Sequence, residues 1–244
     1  MTAQAPIAEL SAREPNQGGH TDAVRDMFGR IAPTYDLLNR VMSGGLDVAW
    51  RQRAIDALEG APRGPSLDLC AGTLDLTVML DRARPHQRLI ASDFSEPMLL
   101  QGRSKVPRAE LIVADAQVLP FEDRSIAVVI CGFGIRNVAD PDKALREVRR
   151  VLIPGGVFVT LEFFRPAQLV TRLFHTAYAN VLLPAVGGLL SGDRGAYAYL
   201  ARSMDGFLFR AEYEHAVARA GFVRIEAEDL TLGVASIIRA VAQG

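Results

Sequence analysis

The chain has 244 residues, enough for one large domain or two small ones, and 49% hydrophobic against 23% charged residues is an ordinary globular balance. A net charge of −1, from 27 basic and 28 acidic residues, argues against a nucleic-acid binder that works by neutralising phosphates. Two cysteines, Cys70 and Cys131, in no CxxC spacing argue against a zinc site or a disulfide framework, and no metal is expected.

Residues 1–21 lack the apolar core of a secretory signal and read as a disordered leader. From Asp22, Val24, Met27, Phe28 and Ile31 fall at helical spacing. Pro33 is expected to interrupt that helix. Helical periodicity then resumes and breaks at Gly44 and Gly45. Residues 22–60 are expected to form an N-terminal helical lid, with Tyr35 folding over a ligand or packing in the core.

After a linker at 60–65 the chain alternates. The pattern predicts strand 66–70, helix 75–83, strand 88–93, helix 96–103, strand 109–113, strand 126–131, helix 141–152 and strand 157–163. The strands 66–70, 88–93 and 126–131 are short and carry little charge, which suits a parallel sheet covered on both faces. Strand–helix alternation implies a doubly wound α/β fold. Residues 164–210 break the rhythm with Phe174, Tyr178, Leu182, Leu183, Tyr197 and Tyr199, as either a substrate lid or a covering layer. A helix at 211–220 and an antiparallel pair of strands at 222–228 and 234–241 close a single domain, 22–244. The longest near-apolar stretches, such as VLLPAVGGLL, have about half of the ~20 residues a membrane span needs. A cytoplasmic protein is expected, with transient contact at the inner face of a membrane left open.

In a doubly wound sheet, ligands sit at the carboxyl ends of the strands. The first turn there, SLDLCAGTLDLT, has one glycine, Gly72, between Asp68 and Asp75. A pyrophosphate site wants G-x-G-x-x-G, and two acids repel phosphate. The turn therefore suits a ligand with a cationic part, an ammonium or a sulfonium. Asp93, about 20 residues on, can accept from both hydroxyls of a ribose. Asp115 can accept from an adenine amino group while Ala116 offers its backbone amide. Ribose, adenine and a cationic end together describe S-adenosylmethionine. The plainer role for each acid is a helix cap or a turn.

The stretches SLDLCAGTLDLT, ASDFSEPML, ADAQVLPFEDRSIAVVICGFGIRNVADPDKALREVRRVLIPGG and VTLEFFRP resemble the ubiquinone/menaquinone biosynthesis C-methyltransferase family. So do IAPTYDLLNRVMSGGLDVAWRQ upstream and YLARSM and AGFVRIEAEDLTLGVASIIRAV in the tail. The resemblance implies a class I S-adenosylmethionine-dependent methyltransferase fold: a Rossmann-like, seven-stranded, mostly parallel sheet with the last strand antiparallel. It implies that Thr73, Asp93, Asp115 and Ala116 bind the cofactor; Asp68, Gly72 and Tyr35 are further cofactor-binding candidates from the residues themselves. The activity implied is methylation of a ring carbon of a prenylated quinol, giving menaquinol or a ubiquinol precursor. Two positions depart from the family. Leu74 stands where a second glycine is common, and Gly132 stands where a serine usually helps bind the cofactor.

A ring carbon becomes a good nucleophile when the neighbouring phenol, of pKa ~10, loses its proton. Arg136 and Asn137 follow the fourth strand and are the candidate catalytic pair. Arg136 would stabilise the phenolate or orient a proton-accepting water, and Asn137 would orient Arg136 or bond a quinol oxygen. A structural pair that pins the loop is the alternative. Glu162 is placed at a strand end, facing the pocket or not, and His175 on the insert, as a surface or packing residue in preference to a base. Cys70 and Cys131 end the first and fourth strands and are expected to lie close together. A methyltransferase for another hydrophobic small molecule, or a cofactor-binding member of a quinone-biosynthesis complex without turnover, remain open alternatives. So do a homodimer and the choice between naphthoquinol and benzoquinol.

Overall fold

Helix α1 (Gly18–Met42) buries one face, with Val24, Phe28, Ile31 and Leu38 packed around Met98 and Met204. It was expected to break at Pro33, and it runs straight through. A proline inside a helix costs ~3 kcal/mol, because it lacks an N–H and crowds the preceding turn. Here the ring faces solvent. Each buried Phe, Ile or Leu stabilises by ~1.5–3 kcal/mol, so the opposite face outweighs the proline. The helix also begins at Gly18, four residues inside the expected leader. The computed structural model describes residues 18–165, 195, 199, 203–204 and 206–244. The rest of the leader, and Phe174, His175, Tyr178, Leu182, Leu183 and Tyr197 of the insert, lie outside the described residues.

A turn through Gly44 and Gly45 leads to α2 (Leu46–Asp56), and Gly45 takes the left-handed conformation (φ 82°) that starts this helix. The alternating elements follow: β1 (Ser66–Leu69), α3 (Asp75–Ala83), β2 (Leu89–Asp93), α4 (Glu96–Gly102), β3 (Glu110–Val113), β4 (Ile126–Gly132), α5 (Pro141–Val151) and β5 (Leu152–Glu162). Helix α6 (Arg210–Arg219), β6 (Phe222–Leu230) and β7 (Ala235–Ala242) close the fold. Asp140 caps α5 by accepting from the Lys143 amide at 2.9 Å, and Pro141 occupies the first turn, where its missing N–H is harmless.

The strands form one seven-stranded sheet in the order β3-β2-β1-β4-β5-β7-β6. Strands β1 to β5 run parallel, and β7 lies antiparallel between β5 and β6. Strand β5 begins at Leu152, earlier than the expected 157. Leu152 pairs with Ile126, and the register then shifts before Val128 meets Val157. Residues 154–156, a helix-stopping PGG, are absorbed as an irregularity of the strand with Gly155 at φ 76°. Along β4, Val128 and Ile130 face the layer of α2, α3 and α4, while Val129 and Cys131 face α5 and α6. Both faces of the central strands are therefore dry, which is why they read as unbroken apolar runs.

Candidate functional site

Strand β1 has β2 on one side and β4 on the other, so the strand order reverses between β1 and β4, where the doubly wound fold opens a crevice. A cleft lies there. Its walls are the residues that follow β1, β2, β3 and β4, and Phe28 and Tyr35 of α1 close it from above.

Asp93, at the tip of β2, lines the cleft and is 6% exposed. Its two oxygens accept from the backbone amides of Gly72 (2.9 Å) and Ser95 (2.8 Å). A carboxylate has about four acceptor positions. Asp93 thus pins the glycine turn and keeps capacity for two ligand hydroxyls. Burial raises its pKa to about 6, against the pull of those amides. Gly72 sits at φ 52° on the cleft wall, a conformation that a Cβ would strain. Asp68 lies inside β1, 1% exposed. One oxygen accepts from the Thr77 hydroxyl at 2.6 Å, and the other has no hydrogen-bond partner among the described residues. Burial lifts its pKa to about 7, with Asp93 adding to the rise and the Thr77 hydroxyl opposing it. Asp115 and Ala116 line the cleft after β3, and Asp115 accepts from both the backbone and the side-chain amide of Gln117.

The remaining predicted residues fall differently. The Thr73 hydroxyl donates to Asp36 of α1, and Lys105 bridges Asp36 (2.5 Å) and Asp75 (2.6 Å). This ties the glycine turn to α1, and it turns Asp75 towards Lys105. Leu74 takes φ 68° and is fully buried. It packs towards Gly102 of α4, where an added Cβ would meet its Cγ at 2.6 Å. Tyr35 lines the cleft and has its pKa raised by burial.

Arg136 is 5% exposed in its side chain and lies behind the cleft wall. Its Nη1 donates to Glu162 (2.6 Å) and to the Phe133 carbonyl (2.7 Å), and its Nε to Ser203 (3.3 Å). Its guanidinium also lies 5.5 Å from the centre of the Phe163 ring. Glu162 is fully buried, so burial raises its pKa while Arg136 opposes the rise. Asn137 lines the cleft, and its buried Oδ1 has no partner among the described residues. Cys70 and Cys131 lie close together, as their strand ends led us to expect, with both sulfurs beside Gly134, and the neighbouring thiol together with burial drives the Cys70 pKa well up. Gly134 makes room for them: a Cβ there would sit 2.3 Å from that of Cys70.

Two groups escaped the sequence reading. One is the Asp36–Lys105 bridge, whose members stand 69 residues apart. The other is Arg51, buried on α2, paired with Asp47 and seated over the Phe133 ring. The spacing of Asp47 and Arg51, one helical turn, was the available signal.

The arrangement combines acceptors for a polyol, an acceptor beside an apolar adenine-sized wall, and buried carboxylates that favour a cation. Aromatic faces at Phe28, Tyr35, Phe94 and Phe133 add attraction for a cation. Among the described residues no three His, Cys, Asp or Glu side chains cluster as a metal site would need. No described helix is long and apolar enough to cross a membrane.

The model of the ubiE/COQ5 methyltransferase family matches residues 16–242. The chain is 46% identical over 216 residues to the demethylmenaquinone methyltransferase of Thermus thermophilus, covering 86% of this chain and 97% of that one. It is 38% identical over 223 residues to the ubiquinone/menaquinone biosynthesis C-methyltransferase UbiE of Geobacter sulfurreducens, covering 88% and 87%. Among solved structures, the geranyl diphosphate C-methyltransferase of Streptomyces coelicolor superposes with a TM-score of 0.60 at 16% identity, over 80% of this chain and 76% of that one. A SAM-dependent methyltransferase of Thermotoga maritima reaches 0.67 at 19% identity, over 90% and 100%. At such identities these two likenesses speak for the fold alone.

Proposed function

The chain belongs to the ubiE/COQ5 methyltransferase family, and from that premise we propose that it transfers the methyl group of S-adenosylmethionine to a ring carbon of a prenylated quinol. The Thermus relative's name favours demethylmenaquinol as the acceptor, with menaquinol as the product. The Geobacter relative's name keeps a benzoquinol precursor of ubiquinone as the second acceptor.

The observation that carries the cofactor reading is the orphaned oxygen of Asp68, buried inside β1 and within the electrostatic reach of Asp93, which lines the cleft. An uncompensated acid costs the fold several kcal/mol unless a cation arrives. S-adenosylmethionine brings two, a sulfonium and an ammonium. Asp93 would hold the ribose hydroxyls, and Asp115 with the Ala116 amide would hold the adenine. The Gly72 turn, braced by Thr73, would lie under the amino-acid end and Tyr35 over the sulfonium. The cofactor supplies an already activated methyl group. The protein's work is to align the acceptor, and near-attack alignment supplies up to ~7–11 kcal/mol.

Asn137 is a cleft-wall residue with an unpartnered Oδ1, which would accept a hydrogen bond from a quinol hydroxyl. Arg136 would favour the phenolate from behind Phe133, and its Glu162 partner softens that field. The described residues of the insert bring Tyr199 and Met204 against the lid helix, which supports an acceptor site between the two. Exposed Leu37, Val41, Leu46 and Val48 span the turn between α1 and α2 and support docking at the inner face of a membrane, where the prenylated substrate dissolves. Deleting the gene in its host and identifying the undermethylated quinone that accumulates tests the reading. A demethylated naphthoquinone is expected, and an unchanged quinone pool would overturn it.

A further inference from the structure

S-adenosylmethionine ends in an α-amino acid, an ammonium beside a carboxylate. The strand tips bring acids to the cleft, which suit the ammonium and repel the carboxylate. A cation is needed at the same end. Lys105 is held outside the loop by Asp36 and Asp75, and Arg136 is engaged by Glu162, the Phe133 carbonyl and Ser203.

Arg51 is differently placed. It lies on α2, 8% exposed, with its guanidinium carbon 5.7 Å from the centre of the Phe133 ring, and Phe133 lines the cleft. Helix α2 packs against α3, the helix that springs from the glycine turn. Arg51 Nη1 donates to Asp47, itself buried. A guanidinium carries five N–H donors in a fork that matches a carboxylate, so one contact does not exhaust it. Its field reaches into the site as well, opposing the raised pKa values of Asp68 and Tyr35.

We propose that Arg51 holds the carboxylate of the cofactor's amino-acid end, while the free oxygen of Asp68 takes the ammonium, so that the N-terminal helices complete the cofactor site. Asp47 would fix the guanidinium and Phe133 would hold its plane. This rests on the cofactor reading above.

The test is calorimetry with two ligands, S-adenosylhomocysteine and 5′-methylthioadenosine, which lacks the amino-acid end. Arg51→Gln is expected to weaken the first by about 10- to 100-fold, the worth of a charge-assisted bond, and the second by less than about threefold. Arg51→Lys is expected to fall between. Because Arg51→Gln orphans Asp47, the double variant D47N/R51Q, checked for a native melting profile, must show the same split. Equal weakening of both ligands, or none, would overturn the role of Arg51 and leave the nucleoside assignments standing. Wild-type protein that binds neither ligand would overturn the cofactor reading and this inference together.

Discussion

Asp68→Asn should make the protein more stable and a worse cofactor binder. The Asp68 carboxyl titrates at about 7 in the fold against 3.8 as its ordinary value. At ~1.4 kcal/mol per tenfold change, keeping it ionised costs the ligand-free fold about 4 kcal/mol. Because the folded value is the higher one, the folded chain holds the proton more tightly. The cost is absent below the ordinary value, grows as the pH rises and is complete above about 7. Asparagine has the same shape without the charge. Its amide must find an acceptor beside Thr77, which takes back ~1–3 kcal/mol if it fails. A net gain of ~1–3 kcal/mol at pH 8 follows, or a melting temperature raised by ~2–4 °C per kcal/mol. Urea unfolding of the ligand-free protein at pH 8 and pH 5 measures it, and the advantage should shrink by ~2 kcal/mol at the lower pH. Calorimetry should show S-adenosylhomocysteine bound at least ~10-fold more weakly, the loss of one charge-assisted contact. A variant less stable than wild type at pH 8, with unchanged affinity, would refute the reasoning.

Wild-type affinity for S-adenosylmethionine should fall as the pH drops from 8 to 6, because protonated Asp68 and Asp93 no longer favour a cation; with their values of about 7 and about 6 the loss is about 20-fold. Titrations across that window check it. Arg136→Met strands Glu162 in the interior and should cost ~3–5 kcal/mol in denaturant unfolding, and R136M/E162M should recover most of that. Methyl transfer should stay low in the double variant if Arg136 also favours the phenolate. Gly134→Ala should destabilise by ~1–3 kcal/mol through the clash with Cys70. Adding Cys70→Ala should not help, since the offending Cβ remains, whereas Cys70→Gly should, and thermal melts distinguish the two.

The parts of the fold that depend on near neighbours were readable in the chain. Strands β1 and β2 and helix α3 fall within a residue of their predicted limits, because apolar runs and a glycine turn are local signals. Pro33 misled because a proline's penalty is local while the burial that outweighs it comes from Met98 and Met204, distant in sequence. Residues 154–156 misled likewise, since partner Ile126 draws the chain into the sheet before the breaker ends. In the site, Asp93 and Asp115 were legible from their places at the ends of successive strands. The orientation of a hydroxyl or a guanidinium was not, because it is set by a partner far along the chain. Thr73 turns to Asp36, 37 residues away, and Arg136 turns to Glu162, 26 away.

The most direct measurement supplies the purified protein with S-adenosylmethionine carrying a ¹³C-methyl group and a short-chain demethylmenaquinol kept reduced. The account predicts labelled menaquinol, with the ¹³C on a ring carbon, and one S-adenosylhomocysteine released per methyl transferred. Label on an oxygen, or none on any naphthoquinol or benzoquinol offered while the cofactor binds, would contradict it.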